Sequence, residues 1–232
     1  MKKKYITLKP DMARVYAEGR KRMTRRVMRI KPPGDGYELS RCVSTTGSKF
    51  NLDKLHWIKR DGLNVIDSDE RYFNCSYGGV GDEIVLGTTW AVPTGYDSMS
   101  PLQVVEDSKC YFSVRGKHVD VWSYFDGGKK TGGFGKLRPA RFLPGFFRDR
   151  MPIGTLTVVR AERLQDITNE DAIAEGIFET PREPGFDCWS THGMREYYPT
   201  PRDAFRALWD SINGDKPGRS FEDNPFVWVL GW

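Results

Sequence analysis

The chain has 232 residues, 38% hydrophobic and 29% charged, with a formal net charge of +5. That length and balance support one large domain, or a core domain with sizeable insertions, and a proper apolar core. No apolar run of about eighteen residues occurs, and Met1 to Tyr5 leads to Ile6 and Leu8 without the apolar stretch of a signal peptide, so neither membrane spanning nor export is expected.

Cys42, Cys75, Cys110 and Cys188 are scattered and form no Cys-x-x-Cys pair, so the sequence offers no metal site and no cofactor. With no export signal, free thiols in a reducing compartment are expected, which points to the cytoplasm. Charge is unevenly spread. Twelve Lys or Arg against Asp11 and Glu18 leave +10 on residues 1–31, and therefore −5 on the remainder. A second basic stretch runs from Lys129 through Arg138 to Arg150, whereas residues 165–190 are acidic. Localised positive charge is suited to positioning phosphates, although a solvated surface run would look the same.

In chain order, Asp11 to Gly19 reads as a short helix, with Met12, Val15 and Tyr16 on one face and Gly19 as its stop. Arg22 to Ile30 reads as a strand. Residues 31–77 are rich in Pro, Gly, Ser, Asn and Asp and read as an insertion of short elements outside the core. Gly81 to Trp90 carries a turn and a core strand. A second insertion, about 93–136, holds expected strands at Tyr111–Val114 and Val119–Phe125 and a Gly-rich loop lacking the order of a phosphate-binding loop. Ile153 to Leu164 is expected to be one long strand, with Gly154 permitting a bend. Thr168 caps a short helix that ends at Gly176. A second helix opens at Thr200-Pro201, buries Phe205, Leu208, Trp209 and Ile212, and closes at Asn213-Gly214. Pro225 to Trp232 alternates as a strand.

The densest chemistry is Gly19-Arg20-Lys21-Arg22-Met23-Thr24-Arg25-Arg26. Strict alternation would part Lys21 from Thr24, whereas a turn at Lys21 would bring its amine near the Thr24 hydroxyl. A desolvated lysine among other cations favours its neutral form and can serve as a base. The bland alternative is a basic strand edge with solvated side chains.

Four blocks in this order resemble a known family: Ile6-Thr7-Leu8-Lys9-Pro10-Asp11-Met12; Gly19-Arg20-Lys21-x-x-Thr24-x-Arg26; Gly81-Asp82; and Val158 through Arg163-Leu164, Ile167-Thr168 and Glu170-Asp171-Ala172 to Glu175-Gly176-Ile177. Together they are similar to the ASCH domain of the PUA-like superfamily. Leu208 to Gly214 and Asn224 to Val229 are similar to a longer form carried by bacteriophages and prophages. The resemblance implies an α+β fold, a small curved β-barrel with flanking short helices. It further implies a single domain with its core at about 5–30, 78–92 and 137–232.

It also implies a cleft for RNA, DNA or a modified nucleoside, and an amidohydrolase acting on an acylated base such as N4-acetylcytidine. On that basis Thr24 is the nucleophile, Lys21 the base and Glu175 the acid. Arg20, Arg22, Arg25, Arg26 and Arg138 would hold ribose, phosphate or nucleic acid, and Trp90 would stack on the base. This chain departs from the compact enzymes in having Arg22, where they carry Thr directly after the Lys. It has Gly87-Thr88-Thr89-Trp90 where longer forms read Arg-Glu-Thr-Trp. Two further readings stand beside the enzyme: a non-catalytic nucleic-acid-binding accessory protein that captures a host protein through its insertions, and a ribonuclease, for which no histidine pair or carboxylate cluster is evident.

Overall fold

A computed structural model describes residues 4–41, 54–69, 71–87, 98, 153–180, 188–191, 194 and 196–232. Strand β1 (Lys4–Thr7) leads into helix α1 (Pro10–Ala17), whose Met12, Ala13 and Val15 are buried. After the loop 18–22 comes β2 (Met23–Val27), followed by a meander of β3 (Tyr37–Arg41), β4 (Leu55–Asp61) and β5 (Asn64–Ser68). Strand β6 (Glu83–Gly87) precedes β7 (Ile153–Thr155) and β8 (Val158–Arg163). Helix α2 (Asn169–Ala174), the short pair β9 (Phe178–Glu179) and β10 (Trp189–Ser190), helix α3 (Pro201–Asn213) and β11 (Phe226–Gly231) complete the order.

The strands form separate sheets. One runs β1-β6-β7, with β1 and β6 parallel; a second runs β2-β11-β8, antiparallel throughout; a third is the meander β3-β4-β5; β9 and β10 form a two-stranded pair. Closing a barrel requires the last strand to hydrogen-bond to the first. Among the described residues no sheet does so, and β2 and β8 are both edges of their sheet. The expected PUA-like curved barrel is therefore corrected to a set of small sheets of two or three strands with, among the described residues, three α-helices. The sequence pattern marks the strands but not how their edges pair, and that pairing decides closure.

Two local expectations also change. Ile153 to Leu164 is not one strand: the Leu156 N–H donates to the Asp82 carbonyl in the first sheet (2.9 Å) and the Thr157 N–H to the Gly231 carbonyl in the second (2.8 Å), so the chain switches sheets there. Gly154 is needed for close approach rather than for a bend, because a Cβ would lie 3.1 Å from Trp232. Residues 31–77, expected outside the core, supply part of it. Trp57 is fully buried and meets Phe226 edge-on at 4.7 Å between ring centres, while Phe73 faces Trp228 at 6.5 Å. The expected strands at 111–114 and 119–125 lie outside the described residues.

Strand β11 is the central strand of the second sheet. It is paired on both edges, and Val227, Val229 and Leu230 are fully buried, so both faces of its alternation are apolar. Helix α3 packs Phe205, Leu208 and Trp209 inward, each side chain contributing about 1.5–3 kcal/mol from burial. The Thr200 hydroxyl accepts from the Asp203 N–H at 3.1 Å, and Thr168 does the same for Asp171 at the start of α2.

Gly176, just past α2, has φ +103°, and a Cβ there would lie 2.7 Å from Val15 Cγ1 in α1. Gly176→Ala is expected to destabilise the protein by about 1–3 kcal/mol from backbone strain alone, with the clash adding to it. A urea denaturation midpoint unchanged from wild type would contradict that reading.

Candidate active site

Loop 18–22 and the end of α2 are joined by backbone before any side chain acts: the Arg22 N–H donates to the Ala174 carbonyl at 2.8 Å. This contact seats Lys21 over the last turn of α2. Its ammonium donates to the Glu175 carbonyl at 2.8 Å and to Glu175 Oε2 at 2.6 Å. A cation at a helix C-terminus is favoured both by the exposed carbonyls and by the helix dipole. Thr24 follows on β2, opposite Leu230 of β11. Lys21, Thr24 and Glu175 are 3%, 4% and 4% exposed, and all three line one cavity of about 390 Å³.

Behind them lies a charge network. Arg25, whose side chain is wholly buried, reaches Glu162 Oε1 at 2.7 Å, Glu175 Oε1 at 3.5 Å and the Asp171 carboxylate. Arg160 closes the far side, contacting Glu162 Oε2 at 2.8 Å and Asp171. Three cations, Lys21, Arg25 and Arg160, thus face three carboxylates, Glu162, Asp171 and Glu175. This balance is what makes burial tolerable, since an isolated ion in such a place would cost several kcal/mol.

Burial pushes the Lys21 amine below the ordinary lysine range; Glu175 pulls the other way, and Arg26 and Arg25 add to the lowering. The neutral amine is therefore reached at a lower pH than for a solvated lysine. Burial likewise lowers the Arg26 guanidinium, opposed by Tyr77 and Glu175. Arg26 donates through Nη2 to the Thr7 carbonyl at 2.7 Å, and its Nε is buried with no hydrogen-bond partner.

Of the residues singled out from sequence, Lys21, Thr24, Glu175, Arg25 and Arg26 line the one cavity. Arg25 is held by three carboxylates rather than displayed as a free contact. Arg20 is half-exposed, pairs with Glu18 and lies over the Phe178 ring at 4.7 Å, and Arg22 is exposed and donates to the Gly19 carbonyl; neither belongs to the lining. Trp90 and Arg138 lie outside the described residues. The sequence reading missed Glu162 and Arg160. They sit two apart on β8 and so share a face, but only the register, with both Arg25 and Arg160 opposite Val229, shows what they meet. Tyr77 in the lining was also missed, and Trp209, expected as a buried residue of its helix, is buried and lines the cavity as well.

No family model matches the chain, and no solved structure matches it. It is similar to the IgW heavy chain V region W26 of Heterodontus francisci, at 29% identity over 103 residues, 43% of this chain and 83% of that protein. An immunoglobulin variable domain is a sandwich of antiparallel sheets tied by an inter-sheet disulfide. Here β1 and β6 are parallel, and Cys75 and Cys188 are both free, so the similarity assigns no residue of this cavity.

Removing Arg25 would leave three carboxylates with only Lys21 and Arg160 against them, and Arg25→Met is expected to cost about 3–5 kcal/mol in chemical denaturation. For Lys21 the sign follows from its lowered folded value. Between that value and 10.5 the unfolded chain binds more protons, so the contribution of Lys21 to stability rises with pH. The stability difference between wild type and Lys21→Met should accordingly grow on going from neutral pH to pH 10.5; a flat difference would show that the lysine is not desolvated.

Proposed function

We propose that the cavity binds a nucleotide base of RNA, DNA or a modified nucleoside and hydrolyses an acyl amide on it, N4-acetylcytidine being the type of substrate. The observation that carries this reading is the 2.6 Å contact between Lys21 and Glu175, 154 positions apart in the chain, on a wall shared with Thr24. A further support is the size of the cavity, about 390 Å³, which falls in the range of small-molecule sites. The motif blocks around Lys21 and Glu175 that resemble ASCH-type amidohydrolases support the same assignment. The free thiols of Cys75 and Cys188 fit action in the cytoplasm of a bacterial cell, and no described helix is long and apolar enough to cross a membrane.

In this reading one proton of the buried pair moves along the short contact, leaving Lys21 as an amine and Glu175 as a carboxylic acid. Thr24 Oγ1 then attacks the acyl carbonyl carbon while Lys21 takes the hydroxyl proton. The carbon–nitrogen bond breaks as Glu175 protonates the departing base nitrogen, which gives the free base, an acyl ester on Thr24 and a restored ion pair. Water cleaves the ester: Glu175 accepts a proton from the water, Lys21 returns one to Thr24, and the carboxylic acid leaves. Burial favours this scheme because a desolvated lysine gives up its proton more readily.

A second reading, capture of a host protein through the insertion at 31–77, draws on the β4–β5 hairpin. Leu63, Val65 and Ile66 are there 94%, 51% and 58% exposed, more apolar surface than a solvated turn needs.

Incubation with N4-acetylcytidine, followed by chromatography, should yield cytidine and acetate. Thr24→Val keeps the shape of the side chain and should lower the rate about 100-fold or more, as should Glu175→Gln. No turnover by the wild-type protein, or an unchanged rate in Thr24→Val with the fold intact by circular dichroism, would overturn the proposal.

A further inference from the structure

The reading of the cavity as a base-binding site uses its inner wall, and the rim has a chemistry of its own. Lys9, Arg29, Lys216 and Arg219 line the same cavity and are all exposed. Among the described lining residues Glu175 is the one carboxylate, and it is already held by Lys21 and Arg25. No ion pair among the described residues neutralises Arg29, Lys216 or Arg219. The ammonium of Lys216 donates to the Ile212 carbonyl at 3.1 Å and that of Lys9 to the Ser211 carbonyl at 3.4 Å. Each bond uses one of three protons, so both lysines sit at the C-terminal end of α3 with donors to spare.

The main chain that carries Lys216 and Arg219 is held in place. The indole N–H of Trp209, itself on the cavity wall, donates to the Arg219 carbonyl at 2.7 Å. The Arg219 N–H donates to the Lys216 carbonyl at 3.1 Å, and Asp210 Oδ1 accepts from the Phe221 N–H at 2.7 Å. A main chain fixed in this way does not have to be ordered again when its side chains meet an anion. Arg26, with its buried and unpartnered Nε, carries the positive lining further in.

We propose that this rim binds a phosphate group of the ligand, so that the cavity takes a nucleotide in preference to the free nucleoside. The proposal rests on the base-binding reading above for the identity of the group inside, but the rim makes its own demand for an anion. A phosphate presents several acceptor oxygens and up to two charges, which suits guanidinium and ammonium donors arriving from the chain just after β2, the chain before α1 and the loop after α3. A free nucleoside would leave them facing water.

Calorimetric titration of the full chain separates the two layers, with cytidine, cytidine monophosphate, a short cytidine oligonucleotide lacking terminal phosphates, and inorganic pyrophosphate as probes. At low salt the monophosphate is expected to bind about tenfold tighter than cytidine or more, with the gap closing at high salt as the exposed cations are screened. In the double variant Lys216→Gln/Arg219→Gln the gap should narrow severalfold, Lys9 and Arg29 remaining on the rim, while cytidine affinity stays the same. The oligonucleotide tells a phosphodiester in a strand from a monoester as the source of the phosphate. Equal binding of cytidine and its monophosphate, or a gap of unchanged size in the double variant, would overturn the proposal. Pyrophosphate binding without cytidine binding would uphold the rim and remove the base-binding reading. Failure of both pyrophosphate and the monophosphate to bind would remove the rim, whatever cytidine does.

Discussion

The catalysis proposed for this protein depends on the joint between loop 18–22 and the end of α2. The Arg22 N–H to the Ala174 carbonyl, the Lys21 ammonium to the Glu175 carbonyl and carboxylate, and the absent side chain of Gly176 against Val15 all act at this one place. Each is short-range and needs the others. With a Cβ at residue 176 the helix end could not approach α1, and without that approach Lys21 would have no carbonyls to reach. The joint brings the opening segment, the most basic part of the chain, to the acidic stretch at 165–190, and β11 then holds β2 and β8 on either side.

The same joint explains why a segment carrying +10 folds into the interior at all. Its two most buried cations, Lys21 and Arg25, are spent on carboxylates: Glu175, Glu162 and Asp171 neutralise them, with Arg160 completing the balance. The positive charge that remains for a ligand comes from elsewhere, from Arg26, Arg29 and Lys9 near the start and from Lys216 and Arg219 after α3. A count of charges along the chain therefore overstates what loop 18–22 can offer and understates what the loop after α3 supplies.

Much of the local structure was legible in the sequence because it rests on local chemistry. The caps at Thr168 and Thr200, the Pro at the start of α3 and the apolar stripe Phe205, Leu208, Trp209 are written within a few residues of where they act. So was the meeting of Lys21, Thr24 and Glu175 in one cavity, though through the resemblance of motif blocks rather than from periodicity. What was not legible depends on contacts far apart in the chain. The switch of sheets at Leu156–Thr157 is decided by partners at Asp82 and Gly231. The place of Trp57 in the core depends on Phe226. Nor does a run of strands say whether they close, and the barrel expected here gives way to open sheets for that reason.

The Lys21–Glu175 pair also has a direction that cannot be inverted. An ion pair between two side chains alone survives exchange of its members, since the attraction is symmetric. Here the ammonium is gripped by a main-chain oxygen as well as by the carboxylate, at the negative end of a helix. A carboxylate at position 21 would face that oxygen and that dipole with the wrong sign. The handedness of the charges is thus imprinted by the backbone, and any lineage of this fold that drifts at one member of the pair has no mirror-image solution to drift toward.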